Sequence, residues 1–329
     1  MVRLLEPPSP AFDALYGMMH YHLGWADRDL QPARLPSGKR LRPLFCLLVC
    51  EAISGQRIAA LPAAVAIELA HNFSLVHDDI EDQDTERHHR PTVWSLWGIA
   101  HGINTGDAMF VLARNALRSL FERGDVPTHR AVTVTRRFDE TTLALCQGQY
   151  LDITFETIQT VDVESYLQMI RGKTAALLAF ATETGARLGG APPDLVEGYR
   201  RFGESLGMAF QMIDDELGVW GDSQHTGKPV GVDLRRRKKS LPVIHALSSL
   251  PRPDLDELQR LCAADELLAD ADVFRVTRLL EQSGAREFVR RLAGEAQSEA
   301  LAALEKAGPV GPAGRLLRDL TAALLDRSF

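Results

Sequence analysis

The sequence predicts a large all-α protein, and three observations support that fold class. Apolar residues recur at intervals of three and four, as in Leu206, Phe210, Ile213 and Leu217, and this spacing places them on one face of a helix. Ala, Leu, Glu and Arg, which are good helix formers, fill most segments. Alternating strand patterns are scarce, and the sequence contains neither Asn-Gly nor Asp-Gly, the common hairpin turns.

Clusters of Pro and Gly separate about a dozen expected helices. The clusters fall at residues 7–10, 36–38, 55, 124–127, 189–193, 221–231, 251–253 and 308–312. No linker is long enough to divide the chain, so we expect a single domain over residues 1–329. The motifs that carry chemistry lie within about 38–247, and C-terminal helices follow over about 253–329.

The composition excludes several classes of protein. The chain carries 44 acidic and 37 basic residues, and a net charge of −7 argues against a nucleic-acid partner. The four cysteines form no CxxC pair, which favours a protein without disulfides. The N-terminus has no apolar signal-peptide core, and no apolar run approaches the ~20 residues of a membrane span. We therefore expect a cytoplasmic protein without stable membrane insertion.

An acidic cluster follows a long apolar segment at residues 78–82. Asp78 and Asp82 are four residues apart, so they lie on one face of a helix about one turn from each other. Carboxylates at that spacing repel each other, and an apolar approach helix makes their desolvation costly. Mg²⁺ removes both objections, because it binds one or two carboxylates together with substrate phosphates. The alternative is a solvated, acid-rich helix end.

Cationic residues come directly after this cluster. Arg87, His88, His89 and Arg90 stand beside the expected carboxylate–metal site. That arrangement suggests an anionic substrate that the metal bridges and the side chains hold. Ordinary surface charges are the alternative interpretation.

A second acidic cluster ends another apolar helix. Asp214 and Asp215 close the segment, and Gln211 lies four residues before Asp215 on the same face. The glycine-rich stretch that follows carries Lys228, which suits a phosphate as a mobile point charge. Gly218 stands where a further carboxylate one turn later would sit, so this cluster is weaker than the first as a metal site.

Six motifs in order resemble those of the trans-isoprenyl diphosphate synthases, the polyprenyl synthetase family, over residues 38–247. The matches are GKRLRP at 38–43 (family GKRxRP), DDIED at 78–82 (DDxxD), RHHRPT at 87–92 (RRGxPT), GKT at 172–174, FQMIDD at 210–215 (FQxxDD) and TGKPVGVD at 226–233 (TGKPxxxD). A single DDxxD is weak support, whereas six ordered matches are strong support.

The resemblance implies a helical bundle around a central cavity, the isoprenoid synthase fold, in a homodimer that uses up to three Mg²⁺ ions per active site. It implies head-to-tail condensation of isopentenyl diphosphate with an allylic diphosphate, which releases pyrophosphate. Mg²⁺ together with Lys or Arg would stabilise the charge that develops on the departing pyrophosphate. A narrow apolar cavity would shield the carbocation from water.

The resemblance also implies a role for each matching residue. The implied metal residues are Asp78, Asp82 and Asp214, with Asp79 and Asp215 in support. The implied ligands of the allylic diphosphate are Arg87, Lys173, Thr174, Gln211 and Lys228. The implied ligands of isopentenyl diphosphate are Lys39, Arg42, His71 and His88. Lys238 and Lys239 could also reach a diphosphate, or they could form a solvated basic turn.

Two departures from the family pattern affect these expectations. His88 replaces the second arginine of RRGxPT, and histidine is a weaker, pH-dependent cation. Arg90 could compensate for that loss. Gly218 removes the last carboxylate of the second cluster, which predicts reduced metal binding there. Two alternatives are a terpene cyclase on the same fold and a non-catalytic partner subunit of another synthase.

Residues just before DDxxD set the product length in the family. Phe73 lies five residues before Asp78, and Ser74 lies four before it. This combination resembles that of geranylgeranyl (twenty-carbon) synthases, with farnesyl (fifteen-carbon) synthases next. Phe73 is then the steric floor of the cavity, and an ordinary core aromatic is the alternative.

Overall fold

The computed structural model describes residues 1–158, 160–221, 231–263 and 268–326 of the chain. Lys228 lies outside the described residues. Those residues are overwhelmingly helical, which confirms the all-α fold class. In chain order the helices are α1 (Asp13–His22), α2 (Leu41–Ser54), α3 (Leu61–Glu81), α4 (Val93–Trp97), α5 (Ile99–Glu122), α6 (Thr128–Thr157), α7 (Val163–Ile170), α8 (Ala176–Gly189), α9 (Pro193–Trp220), α10 (Val232–Arg235), α11 (Leu241–Ser249), α12 (Asp254–Cys262), α13 (Asp270–Gln282), α14 (Ala285–Ala307) and α15 (Gly311–Leu325).

Shorter elements interrupt this helical series. Three 3₁₀ turns lie at Val2–Leu5, Pro10–Phe12 and Ile58–Ala60, and a π-helical turn at Arg171–Ala175 joins α7 to α8. The chain forms two compact units. Unit 1 comprises Met1–Thr142, Phe180–Val196 and Pro309–Gly314, and unit 2 comprises Leu143–Ala179, Glu197–Gly308 and Arg315–Phe329. The single domain over residues 1–329 stays a prediction.

In unit 1, α3 packs closely along α5. Two glycines of α5 make the approach possible, because a methyl group on Gly106 would overlap the imidazole of His77 on α3. A methyl group on Gly102 would lie 2.7 Å from Cδ1 of Ile80. This contact holds the C-terminal turn of α3, which carries the first acidic cluster.

The α3 segment also qualifies one expectation from the sequence. Among the described residues, Ile58–Glu81 is long and apolar enough to cross a membrane by length and composition, with a mean hydropathy of 1.4. The expectation that no apolar run approaches that length is therefore wrong. Because 61 % of the segment's most apolar window is buried inside the protein, the apolar character is that of a core helix.

A short hairpin follows α3, although the sequence contains no hairpin dipeptide. Strands β1 (Glu86–Arg87) and β2 (Arg90–Pro91) pair antiparallel, with Arg87 opposite Arg90. The connecting residues His88 and His89 have φ values of 53° and 59°. Positive φ at both central residues is the geometry of a type I′ turn, which normally selects Asn or Gly. His89 stands at the glycine of the family's RRGxPT motif, and its left-handed backbone costs about 1 kcal/mol.

In unit 2, glycines again set the positions of functional segments. A Cβ on Gly172 would lie 2.6 Å from the carbonyl oxygen of Ala144, so the π-helical turn rests directly against α6. A Cβ on Gly207 would lie 2.6 Å from Cα of Ala175, which brings α9 equally close to the same turn. The turn that carries Lys173 and Thr174 is therefore held between two helices.

Candidate active site

The first acidic cluster is bound to the hairpin through Arg87. Nε of Arg87 donates to Oδ1 of Asp79 at 2.6 Å, and its second nitrogen approaches Oδ2 of Asp78 at 3.4 Å. Asp79 is 1 % exposed, and burial raises the pKa of its carboxyl to about 7 while the Arg87 charge opposes that rise. Among the described residues, no donor reaches Oδ2 of Asp79.

The donor set of this cluster suits an open Mg²⁺ site. Asp78 and Asp82 lie one turn apart at the end of α3, and the amide of Asp82 donates to the carbonyl of Asp78 at 2.8 Å. Within the described ranges, no three His, Cys, Asp or Glu side chains converge as a closed metal cage. Mg²⁺ is typically held by one or two carboxylates and completed by substrate phosphates and water. The carboxylates and the orphaned oxygen of Asp79 fit that ion.

Arg42 and His71 form a second contact next to this cluster. A terminal guanidinium nitrogen of Arg42 lies 3.1 Å from Nε2 of His71. Burial, followed by the charges of Arg42 and Arg87, lowers the pKa of His71 well below its ordinary value. His71 is therefore neutral and accepts the hydrogen bond from Arg42. Nε of Arg42 is buried, and no described group accepts from it, so the guanidinium retains a donor for an anion.

His88 lies on the same side of unit 1 as the GKRLRP segment. Its Nε2 would lie 3.9 Å from a Cβ on Gly38, next to the exposed Lys39. Burial lowers the pKa of His88, and the charges of Arg87 and Arg90 lower it further. At neutral pH His88 therefore offers a neutral N–H donor rather than a positive charge.

Arg90 has a different task from the compensation considered above. Its two terminal nitrogens donate to the carbonyls of Tyr21, at 2.8 Å, and His22, at 3.3 Å. Its guanidinium also lies over the Tyr21 ring, 4.9 Å from the centroid. Arg90 thus caps the C-terminal carbonyls of α1 and fastens the hairpin to that helix.

The second acidic cluster, in unit 2, contains a buried hydrogen-bond network around Asp215. The hydroxyl of Tyr166 donates to Oδ2 of Asp215 at 2.5 Å, Nε2 of Gln211 donates to Oδ1 at 3.1 Å, and the amide of Leu241 donates at 3.3 Å. Burial raises the pKa of Asp215 to about 7 against these donors. The hydroxyl of Thr174 donates to Oε1 of Gln211 at 2.9 Å and fixes its amide. The network positions Gln211 and leaves Asp215 little room to bind a metal directly.

Lys173 is held by a carboxylate that sequence reasoning did not identify. Its Nζ donates to Oδ2 of Asp152 on α6 at 2.5 Å. A Cβ on Gly148 would lie 2.9 Å from Cα of Lys173, so the backbones of the two segments nearly touch. The ammonium is oriented before any substrate binds.

Other side chains near the second cluster are structural. Glu216 is 1 % exposed and accepts from Nε of Arg286 at 2.9 Å and from Nε of Arg290 at 2.7 Å. Lys239 donates to the carbonyls of Phe155, at 2.7 Å, and Glu156, at 3.1 Å, and so caps the C-terminal end of α6. Lys239 therefore forms neither of the two arrangements expected for it, a diphosphate ligand or a solvated turn.

Comparison with known proteins agrees with these groupings. The sequence pattern of the Polyprenyl synthetase family matches residues 28–276, which is well over half of the chain. The chain belongs to the polyprenyl synthetase family. It is an isoprenyl diphosphate synthase, that is, a trans-prenyltransferase, and the resemblance stated from the motifs is confirmed.

Relatives within the family carry names of short-chain synthases. A (2E,6E)-farnesyl diphosphate synthase of Mycobacterium tuberculosis is 39 % identical over 318 residues, which cover 94 % of this chain and 85 % of that enzyme. A geranylgeranyl diphosphate synthase of the same organism is 40 % identical over 295 residues, or 90 % of this chain and 83 % of that enzyme. Enzymes of two product lengths are thus nearly equally similar to this chain.

Solved structures share the fold. A polyprenyl synthetase from Streptomyces coelicolor superposes with a TM-score of 0.86 at 36 % identity, over 98 % of this chain and 94 % of that one. A geranylgeranyl pyrophosphate synthetase from Pyrococcus horikoshii superposes with a TM-score of 0.87 at 32 % identity, over 99 % and 93 %. The expectation of the isoprenoid synthase fold is confirmed.

Proposed function

We propose that the chain condenses isopentenyl diphosphate with an allylic diphosphate, head to tail and with Mg²⁺, to make a short-chain prenyl diphosphate. The observation that carries this proposal is the contact of Arg87 with Asp78 and Asp79 beside the Arg42–His71 pair. It supports one anion site that a metal bridges and a second anion site that side chains alone bind. Two diphosphates, one ionising and one adding, require that combination.

In this mechanism the chain's own residues bind and orient the two substrates. Mg²⁺ held by Asp78 and Asp82, with a further ion at Asp214, would neutralise the charge that develops on the departing pyrophosphate. Arg87 and Lys173 would bind that pyrophosphate, with Gln211 held in place by Thr174 and Asp215. Lys228, outside the described residues, is proposed to bind it as well.

The second diphosphate would be bound without metal. Arg42 offers the donor on Nε that no described group accepts, and its orientation is set by His71. Lys39 and His88 would complete this site from the two adjacent segments. Binding isopentenyl diphosphate here would place it beside the allylic substrate, so condensation follows from proximity and orientation.

We propose geranylgeranyl diphosphate as the product, with Phe73 as the floor that stops elongation. The Phe73 ring lies 5.2 Å from Phe110, which stacks 6.3 Å from Phe138, and Phe138 lies 5.8 Å from Phe180. Three aromatic rings behind Phe73 give the floor a rigid support. Ser74, by contrast, donates to the carbonyl of His71 at 2.8 Å.

Substitution of the floor tests the product length. Phe73→Ala is expected to lengthen the main product by at least one five-carbon unit, because the cavity gains the volume of the ring. Ser74→Ala removes a hydroxyl from the neighbouring position and serves as the control with unchanged length. The products are measured by chromatography after removal of the diphosphate. An unchanged product from Phe73→Ala would refute the floor.

We further propose that the active form is a homodimer. Apolar side chains stand exposed on α5, where Ile99 is 54 % and Ile103 is 45 % exposed, and on α6, where Leu143 is 60 % exposed. Apolar surface of this kind favours burial against a second copy. Light scattering is expected to give twice the chain mass of 36.3 kDa. Ile103→Asp is expected to yield monomers, and a monomeric wild type would contradict the proposal.

We also propose a cytoplasmic location. All four cysteines are free, and thiols persist in the reducing cytoplasm. Cell fractionation of the native host is expected to recover the protein with soluble cytoplasmic enzymes, and recovery with membranes would contradict that location.

The function is tested by incubating the protein with Mg²⁺, an allylic diphosphate and labelled isopentenyl diphosphate. Label is expected in a longer prenyl diphosphate. A hydrocarbon formed without isopentenyl diphosphate would identify a terpene cyclase instead, and no turnover at all would favour a non-catalytic partner subunit.

A further inference from the structure

The second acidic cluster lacks a carboxylate at a position where its geometry calls for one. Gly218 lies four residues after Asp214 on α9, so both face the same side of the helix one turn apart. Asp78 and Asp82 have the same spacing on α3 and carry two carboxylates. On sequence alone, Gly218 therefore predicts weaker metal binding at the second cluster.

The space next to Gly218 is filled by another carboxylate. A Cβ built on Gly218 would overlap the carboxylate of Asp233, with Cγ of Asp233 only 2.7 Å and its Cβ 3.3 Å away. Asp233 is the second residue of α10 and lies in the same unit as α9. The carboxylate of Asp233 thus occupies the position at which a side chain of residue 218 would begin. Only glycine at 218 permits this approach.

The charge of Asp233 is also directed toward the second cluster. Burial raises the pKa of the Tyr166 hydroxyl well above its ordinary value, and Asp215, Asp152 and Asp233 add to that rise in this order. The negative charge of Asp233 likewise adds to the rise in the pKa of Asp215. Asp233 therefore faces the same polar pocket of unit 2 as Tyr166 and Asp215.

The remaining acids of the cluster are engaged in structural contacts. The oxygens of Asp215 accept from Tyr166, Gln211 and the amide of Leu241, and Glu216 is paired with Arg286 and Arg290. A cation at this cluster would therefore meet chiefly the carboxylates of Asp214 and of whichever residue stands one turn beyond it.

We infer that Asp233 supplies from α10 the carboxylate that Gly218 omits from α9, and that Asp214 and Asp233 together face the Mg²⁺ ion of the second cluster. This inference rests on the proposed function. It makes Gly218 and Asp233 a matched pair, in which the glycine removes a carboxylate and simultaneously creates the space that another carboxylate fills. The second cluster then binds metal about as well as one with the complete motif.

Relocation of the carboxylate tests the inference through metal affinity rather than activity. Mn²⁺ is titrated into the full chain with saturating pyrophosphate, and the bound ions are counted by electron paramagnetic resonance. Asp233→Asn is expected to weaken the most affected Mn²⁺ site by about tenfold or more, the usual effect of removing a residue that supports a metal. The double variant Gly218→Asp/Asp233→Gly returns the carboxylate to α9 and is expected to regain most of that affinity.

Two further variants separate this effect from a general one. Asp256→Asn removes one exposed acid of α12, elsewhere in unit 2, and is expected to leave Mn²⁺ affinity unchanged. Gly218→Ala keeps every charge but collides with Asp233, so it is expected to weaken the same site as Asp233→Asn. Thermal unfolding without metal confirms that each variant is folded.

The outcomes distinguish this inference from the proposed function. If wild type binds Mn²⁺ and pyrophosphate and forms product, but Asp233→Asn binds Mn²⁺ equally well, the inference is overturned and the function stands. If the double variant binds as weakly as Asp233→Asn, the two positions are not equivalent and the inference is overturned as well. If wild type binds no Mn²⁺ with pyrophosphate, the proposed function fails and the inference fails with it.

Discussion

Arg87 contributes to both the stability of unit 1 and the expected chemistry. Its guanidinium is the cation next to Asp79, whose carboxyl is almost fully buried. Removing a partner from a buried charge leaves the other charge without compensation. The pKa of Asp79, already raised to about 7 by burial against the Arg87 charge, would rise further, and the carboxyl would become neutral at neutral pH.

Arg87→Ala is therefore expected to lose about 2 kcal/mol of unfolding free energy and most of the turnover. Arg87→Lys should retain the charge but lose the fork of donors, so it should recover stability better than kcat. Arg118→Ala breaks an exposed pair with Glu122 and is the control, with a change below about 0.5 kcal/mol. Urea unfolding and steady-state kinetics measure both effects. Equal effects at Arg87 and Arg118 would contradict this role.

His88 determines how binding of isopentenyl diphosphate depends on pH. The pKa of His88 is lowered by burial, then by Arg87, Arg90 and His89. It therefore becomes charged only at a pH below its ordinary value of 6.5. The expected KM for isopentenyl diphosphate is lowest at acidic pH, rises as the pH increases through this lowered pKa, and is flat above neutrality.

His88→Arg is expected to lower KM by about three- to tenfold at neutral pH, because it restores a charge-assisted hydrogen bond. It should also remove the part of the acidic trend that belongs to residue 88. Any trend that remains in the variant reports titration of the substrate or other groups. A KM trend identical in both proteins would refute a role for His88.

Much of the site could be predicted at the level of single residues. Asp78, Asp82 and Arg87 lie where local spacing placed them, because helix periodicity governs neighbours three or four residues apart. Tyr166 and Asp152 were missed, because their partners Asp215 and Lys173 are 49 and 21 residues away in sequence. No local pattern indicates a contact of that range.

At the level of elements, the close packing of α3 on α5 depends on a glycine. Gly106→Ala would place a methyl group against the imidazole of His77, directly before Asp78. We expect a loss of about 1–3 kcal/mol in unfolding free energy, as overpacking usually causes, together with lower turnover because the metal-bearing turn shifts.

Gly294→Ala on α14 is the matched control, because nothing lies within 4 Å of its Cβ position. It is expected to stabilise the protein by about 0.5–1 kcal/mol, since alanine loses less backbone entropy in a helix. Urea unfolding measures both variants. If Gly106→Ala were as stable as Gly294→Ala, the close packing would not be needed.

The sequence predicted the helices better than the connection between α3 and α4. Apolar periodicity is a repeated signal, so long helices such as α3 and α9 were readily expected. The β1–β2 hairpin was not, because His88 and His89 adopt left-handed backbone without the usual Asn or Gly. Contacts of Thr92 and Trp94, which both donate to the carbonyl of Asp84, brace it instead.

At the level of the whole molecule, acidity is concentrated rather than general. Six acids lie between residues 78 and 86 and three between 214 and 216, and without these nine the chain would have 35 acids and 37 bases, a balance of +2. The structure divides these acids by task. Asp78, Asp82 and Asp214 are proposed to bind metal, whereas Asp215 and Glu216 hold neighbouring helices through hydrogen bonds and ion pairs.

Pyrophosphate release tests the central claim, that one chain binds two diphosphates and joins their prenyl groups. Pyrophosphate is counted during turnover with Mg²⁺ and an allylic diphosphate, with and without isopentenyl diphosphate. We predict one pyrophosphate released per isopentenyl diphosphate incorporated, and almost none when isopentenyl diphosphate or Mg²⁺ is omitted. Rapid release of pyrophosphate without isopentenyl diphosphate would contradict the claim.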